Sequence, residues 1–134
     1  ILGSTKIGAI LGDKEHVEAL GSFGLHFGIA YQLRNDYLDY FGDSSSTGKN
    51  AIEDLYEGKA TLPVIHSLSN ADGEDERFLR NAYKDTSNID GQAIIKILEK
   101  YKSNQYILEK IKNETNLAIS SLKQLASSRH KEEL

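Results

Sequence analysis

Apolar residues recur with the period of an α-helix between Glu15 and Gly42. This spacing predicts one long helix with a buried stripe. Asp13 is a suitable N-cap residue, and Gly42 is the first strong turn signal that follows. The residues of the stripe are Val17, Leu20, Phe23, Phe27, Ala30 or Tyr31, and Leu38.

Helical periodicity also marks the rest of the sequence, and no stretch alternates apolar and polar residues as a half-buried strand does. The patterns therefore predict an all-α fold, an antiparallel helical bundle, in one domain over residues 1–134. A final helix is predicted to follow a cap at Ser103 or Asn104 and to bury a stripe from Ile107 to Leu125. The other predicted helices cover residues 1–11, 51–56, 61–68, 74–84 and 91–102, with Gly12 ending the first, Pro63 in an early turn and Asp90 as a cap.

Glycines are unusually frequent in the first two predicted helices. Each glycine weakens an isolated helix by about 1 kcal/mol. We expect them to mark places where a second helix packs closely, because Phe23 and Phe27 fill the same stretch. These glycines are Gly3, Gly8, Gly21, Gly24 and Gly28.

Polar side chains share one face of the long helix near its end. Gln32, Asn35, Asp36 and Asp39 are three or four residues apart and therefore stack on successive turns. Two carboxylates and two amides in this arrangement can hold Mg²⁺, which takes oxygen ligands and keeps water and substrate phosphates. The same spacing also fits an acidic helix face that only contacts solvent.

Two lysines follow this acidic face. The stretch Gly42–Gly48 predicts a loop, Lys49 comes directly after it, and Lys59 follows Gly58. Such a loop can fold both lysines back toward the acidic helix. Carboxylates that hold Mg²⁺ beside lysines that hold phosphate would together bind a metal–diphosphate.

The order of these motifs resembles the trans-isoprenyl (polyprenyl) diphosphate synthases. Their second aspartate-rich motif, FQxxDDxxD, is similar to Tyr31–Asp39, and it is followed here by Gly48-Lys49, Asp54-Leu55 and the GKxTLP-like Gly58–Pro63. The glycine-rich stretch from Leu20 to Tyr31 also looks like the helix that leads into that motif. The resemblance is carried by several linked motifs over about residues 7–65.

The resemblance implies a Mg²⁺-dependent prenyltransferase that condenses isopentenyl diphosphate with an allylic diphosphate. It also implies a cytoplasmic homodimer. Ionisation of the allylic C–O bond would give a carbocation, which isopentenyl diphosphate attacks before a proton is lost. The resemblance implies that Asp36 and Asp39 bind the metal and that Asn35 is a weaker metal ligand. Asp54 would orient metal-bound water, and Lys49 and Lys59 would bind the diphosphate. Gln32 would contact the reacting allylic end.

Two departures from the family pattern qualify this expectation. Asn35 stands where the family has the first aspartate of DDxxD, and an amide oxygen can coordinate a cation but brings no charge. The first aspartate-rich motif of the family is not in this sequence, so we expect a C-terminal portion of a synthase that is inactive by itself. A non-catalytic partner subunit of such a synthase is the alternative, and Asn35 is its support.

Composition excludes several other classes. The net charge of −4 gives no support to general nucleic-acid binding, and the absence of cysteine excludes disulfides and thiolate-bound metals. No apolar run approaches the ~20 residues of a transmembrane helix, and no signal-peptide pattern is visible. The four histidines include no pair at i, i+4, so a zinc site of that kind is not predicted.

Overall fold

The computed structural model describes residues 1–11, 16–42, 52–123 and 125. Within these ranges all regular structure is helical, which confirms the all-α prediction. The predictions on Gly12, Asp13, the loop as far as Lys49 and the end of the chain lie outside the described residues. The helices are α1 (Leu2–Leu11), α2 (Val17–Phe41), α3 (Glu53–Tyr56), α4 (Leu62–Asn70), α5 (Gly73–Lys84), α6 (Gly91–Lys100) and α7 (Ser103–Leu122), with a 3₁₀ turn at Thr86–Asn88.

The chain divides into two compact units, and α2 and α7 each contribute to both. The first unit comprises Ile1–Gln32 with Lys110–Leu134, and the second comprises Leu33–Glu109. The second unit is built around one apolar core, to which α3, α4, α5, α6 and the end of α2 all contribute. The buried members of this core are Tyr40, Ile52, Leu55, Val64, Leu79, Ile94 and Leu98.

Two of the three helix-start signals predicted in the second unit are confirmed. Pro63 lies in the first turn of α4, where its missing N–H is not needed. The Asp90 carboxylate caps α6 by accepting the Ala93 N–H at 3.1 Å. The predicted cap of α7 at Ser103 or Asn104 was wrong, because the helix already includes both residues. The buried Ser103 hydroxyl bonds to Ser67 at 2.6 Å instead.

The first unit shows why some of the glycines lie where they do. A Cβ on Gly24 would come within 2.2 Å of the Thr5 hydroxyl oxygen, so α1 crosses α2 at a distance that only glycine allows. This confirms the close-packing prediction at Gly24. At Gly3 and Gly8 no described atom lies within 4 Å of a Cβ built there, so close packing at these two glycines stays a prediction.

The buried stripe of α2 is narrower than its sequence pattern. Phe23 is buried, whereas Phe27 is 43% exposed and stacks on the Phe23 ring at 5.6 Å. Four residues turn an α-helix by more than 360°, so the second ring lies to one side of the buried stripe. In α5, Leu79 is buried and the adjacent Phe78 is exposed, because adjacent residues of a helix point in directions about 100° apart.

Candidate functional site

The acidic residues at the end of α2 lie in the second unit. Asp36 is only 8% exposed, and Asn35 and Asp39 are half-buried. Gln32 belongs to the first unit and its side chain is exposed. The carboxylates of Asp36 and Asp39 are therefore not part of a fully solvated helix face, which was the alternative that the sequence left open.

Asp39 accepts two hydrogen bonds from backbone N–H groups at the start of α3. The Ile52 N–H donates to the Asp39 carbonyl at 2.8 Å, and the Asp54 N–H donates to Asp39 Oδ2 at 3.2 Å. Ile52 adopts a left-handed backbone with φ of 63°, which is rare for a β-branched residue. Its side chain is buried in the core, so packing and these bonds hold a conformation that costs free energy on its own.

Asp36 and Tyr40 hold the start of α4. Asp36 Oδ2 lies 3.5 Å from the Leu62 nitrogen, at the first turn of a helix whose N–H groups have no partner inside the helix. One turn further along α2, the Tyr40 hydroxyl accepts a hydrogen bond from the Thr61 hydroxyl at 3.0 Å. The segment Gly58–Pro63 is thereby attached to the acidic end of α2.

Lys59 is placed beside Asp54 by a turn at Gly58, which has φ of 72°. Its Nζ donates to Asp54 Oδ1 at 2.9 Å and also pairs with Glu57. Hydrogen bonds to these carboxylates, Glu57 first, raise the pKa of the Lys59 ammonium above its ordinary value. The ammonium group therefore stays charged. It pairs with Asp54 and Glu57, and not with the Asp36 or Asp39 carboxylates of α2.

Tyr83 of α5 fixes the backbone at the same point. Its hydroxyl donates to the Lys59 carbonyl at 2.9 Å, and burial raises the pKa of Tyr83 to about 12. Sequence reasoning missed Tyr83, because it is 24 residues from Lys59 and belongs to no motif. Tyr40 was also missed, although its position four residues after Asp36 places it on the same helix face.

The surroundings of the Asp39 carboxylate disfavour its charged form. Burial, followed by the charge of Asp54, raises the pKa of Asp39 from 3.8 to about 6. A carboxylate in these surroundings gains from a nearby cation, and carboxylate oxygen is the donor that Mg²⁺ prefers. The Asp39 carboxylate oxygens therefore suit Mg²⁺ as part of its ligand shell.

The described residues do not complete a metal site. No group of three or more histidine or acidic side chains within them is arranged to hold a metal ion. Hydrogen bonds bring together Asp39, Asp54 and Lys59. Asp36 lies about one turn earlier on α2, and its carboxylate faces the Leu62 nitrogen. It places Gln32 in the other unit, and Lys49 lies outside the described residues.

The arrangement of these motifs can be compared with known proteins. The profile of the polyprenyl synthetase family matches residues 1–122. The chain is a member of this family. Polyprenyl synthetase membership confirms the resemblance drawn from the motifs, and the family is one of all-α prenyltransferases.

Curated relatives of this polyprenyl synthetase chain are longer than the chain itself. It is 34% identical over 132 residues to an all-trans-nonaprenyl-diphosphate synthase (geranyl-diphosphate specific) from Rhodobacter capsulatus, covering 98% of the chain and 41% of that relative. It is 36% identical over 109 residues to a short chain isoprenyl diphosphate synthase from Methanothermobacter thermautotrophicus, covering 79% of the chain and 33% of the relative. The chain thus spans about two-fifths or less of these proteins.

Solved structures agree with the family assignment. Geranylgeranyl pyrophosphate synthetase from Pyrococcus horikoshii matches with a TM-score of 0.88 and 34% identity, over 98% of the chain and 41% of that structure. A polyprenyl synthase from Caulobacter crescentus, complexed with calcium and isoprenyl diphosphate, matches with a TM-score of 0.87 and 26% identity, over 98% and 41%. None of the helices in the described part of the polyprenyl synthetase chain is long and apolar enough to cross a membrane.

Proposed function

We propose that this chain forms the diphosphate-binding side of a trans-prenyl diphosphate synthase, which condenses isopentenyl diphosphate with an allylic diphosphate. One observation carries the proposal: the Asp54 N–H donates to the Asp39 carboxylate, whose pKa is raised by burial and by the Asp54 charge. A half-buried carboxylate whose pKa is raised by burial and by a second carboxylate is typical of a functional site, and a cation would favour its charged form.

Each residue of the site has a task in this reaction. The allylic C–O bond breaks and the diphosphate leaves, then a C–C bond forms to isopentenyl diphosphate and a proton is lost. Mg²⁺, when bound, supplies positive charge that stabilises the departing diphosphate. Asp36 and Asp39 would hold that cation, and Lys59 would exchange its exposed carboxylate partners for a diphosphate oxygen. Gln32 would contact the reacting allylic end, and Lys49 would bind the diphosphate.

Asn35 favours a second candidate, a non-catalytic subunit that pairs with an active synthase. The amide lies next to Asp36 on α2 and is half-buried, and it stands where the family motif has an aspartate. A turnover assay of the whole protein with geranyl diphosphate, isopentenyl diphosphate and Mg²⁺ separates the two candidates. Product above a blank supports the enzyme, whereas activity that appears only when a partner synthase is added supports the subunit.

Removal of the Lys59 charge should weaken diphosphate binding. We expect Lys59→Ala to raise the inhibition constant of inorganic pyrophosphate about ten- to hundredfold, the usual value of a hydrogen bond to a charged group. Lys100→Ala is the matched control, because Lys100 is equally exposed and also pairs with an aspartate, Asp75. Equal effects of the two substitutions would remove Lys59 from the site.

Addition of a charge at Asn35 should strengthen cation binding. We expect Asn35→Asp to lower the Mg²⁺ concentration for half-maximal rate by up to about fivefold, because a full negative charge replaces a dipole. The metal-free protein should become slightly less stable, since the new carboxylate repels its neighbours. Asn81→Asp, on the exposed side of α5, controls for net charge. A thermal shift by Mg²⁺ and pyrophosphate no larger than in the parent would place Asn35 away from the cation.

Four further features remain predictions of this proposal. They are magnesium as the metal, a homodimer, a cytoplasmic location and the absence of a nucleic-acid partner. The first is checked by replacing Mg²⁺ in the turnover assay with Ca²⁺ or Mn²⁺. The homodimer is checked by the mass of the whole protein in solution.

A further inference from the structure

The Lys59 side chain reaches the proposed site from an exposed position. It is 58% exposed, and its Nζ pairs with the carboxylates of Asp54 and Glu57. A long, exposed side chain can adopt many rotamers, so the place that its charge occupies depends on where the backbone directs Cβ. The backbone of Lys59 is therefore the feature that decides whether its ammonium group lies at the site.

Both polar groups of the Lys59 backbone have partners. The Lys59 N–H donates to the Asp54 carbonyl at 2.8 Å, and the Lys59 carbonyl accepts from the Tyr83 hydroxyl at 2.9 Å. The first bond is local to the turn, in which Gly58 has a left-handed φ of 72°. The second bond joins the turn to α5, an element that lies outside the motif.

Tyr83 is held firmly enough to support this turn. Its ring is half-buried and packs against the apolar core of the second unit. Burial raises the pKa of Tyr83 to about 12, and the negative charge of Asp54 acts in the same direction. The hydroxyl therefore keeps its proton at neutral pH and remains a hydrogen-bond donor to the Lys59 carbonyl.

We infer that Tyr83 is a positioning residue for the proposed diphosphate site, because its hydroxyl holds the turn that places the Lys59 ammonium beside Asp54. Tyr83 touches no reacting atom and acts only through Lys59. This role rests on the proposed function, in which Lys59 binds the diphosphate. A tyrosine that only stabilised the fold would affect the whole site and not Lys59 alone.

A double-mutant cycle separates these two roles. Isothermal titration of the whole protein with inorganic pyrophosphate and Mg²⁺ measures affinity without turnover. We expect Tyr83→Phe to weaken pyrophosphate binding about three- to tenfold, the usual range for the loss of one hydrogen bond. In a Lys59→Ala background the same substitution should change binding by less than about twofold, because the group that Tyr83 positions is absent.

Tyr101→Phe is the matched control. The Tyr101 hydroxyl also joins two helices, since it donates from the end of α6 to Asp75 of α5 at 3.0 Å, but it lies outside the proposed site. Its removal should leave pyrophosphate binding within about twofold of the parent.

Hydrogen exchange shows directly what the Tyr83 hydroxyl holds. Tyr83→Phe should speed exchange of the Lys59 N–H and leave exchange in α6 unchanged. Phenylalanine keeps the ring that packs against the core, so we expect this variant to fold. Failure to fold, or faster exchange throughout the second unit, would mean that the hydroxyl serves the whole fold and would overturn the positioning role.

The titrations also distinguish this role from the proposed function. Unchanged pyrophosphate binding in Tyr83→Phe, or equal weakening with and without Lys59, overturns the inference about Tyr83 alone. Unchanged binding in Lys59→Ala overturns both that inference and the proposed role of Lys59. Turnover of the whole protein with Mg²⁺ tests the proposed reaction separately.

Discussion

Asp39→Asn in the whole protein is expected to lower kcat/KM by roughly 10²–10³-fold, the usual loss when one electrostatic contact to a reacting group is removed. Asparagine has nearly the same shape, and its amide oxygen can still accept the Asp54 N–H. The substitution therefore removes the negative charge and leaves the contact between α2 and α3. Initial rates with geranyl diphosphate, isopentenyl diphosphate and Mg²⁺ measure the loss.

Asp75→Asn is the matched control for this change. Asp75 is also an aspartate with partners, since it accepts from Lys100 and from the Tyr101 hydroxyl at 3.0 Å, but it lies on α5 outside the proposed site. We expect its kcat/KM to stay within about twofold of the parent, as for most surface changes away from a site. A similar loss in both variants would mean that Asp39 acts through folding and not through its charge.

The pH dependence of metal-free stability gives an independent signature of Asp39. Its pKa is raised from 3.8 to about 6, so the folded chain binds this proton more tightly than the unfolded chain. The contribution of the protonated carboxyl is therefore fully present below pH 3.8 and is lost as the pH rises through 6. Relative to Asp39→Asn, the parent should lose stability between about pH 4 and pH 6 in denaturant titrations with EDTA. A constant difference between the two proteins would contradict the raised pKa.

Leu55→Ala is expected to reduce the free energy of unfolding by about 2–5 kcal/mol, the usual cost of a cavity at a buried leucine. The Leu55 side chain has no exposed surface and packs in the core of the second unit. Helix α3 has only four residues, too few to be stable without tertiary packing. Loss of this side chain should therefore also loosen Asp54, the preceding residue in the same helix. Unfolding by urea, followed by circular dichroism, measures the change.

Lys96→Ala provides the comparison for Leu55→Ala. Lys96 is exposed on α6, and alanine suits a helix well, so the free energy of unfolding should change by less than about 0.5 kcal/mol. A loss below about 1 kcal/mol for Leu55→Ala would mean that α3 does not depend on this contact. Activity measured well below the unfolding transition then shows whether Asp54 has moved.

Local signals in the sequence determined the helices and some of their ends. The period of 3.6 residues, Pro63 in a first turn and the Asp90 cap depend only on neighbouring residues, so sequence reasoning placed them correctly. The order of the motifs around Asp36, Asp39 and Lys59 was likewise enough to identify the family. Small residues also predicted the close crossing at Gly24, because a neighbouring backbone can approach only where Cβ is absent.

Tertiary structure alone decided which polar groups meet. The Asp39–Asp54 hydrogen bond spans 15 residues and the Tyr83–Lys59 bond spans 24, so no helical period predicts either of them. The left-handed backbone of Ile52, which brings α3 onto Asp39, contradicts the local preference of isoleucine. Burial of its side chain in the shared core outweighs that preference. The same packing removes water from Asp39 and raises its pKa, and this electrostatic property of the site follows from contacts between helices that the sequence pattern does not contain.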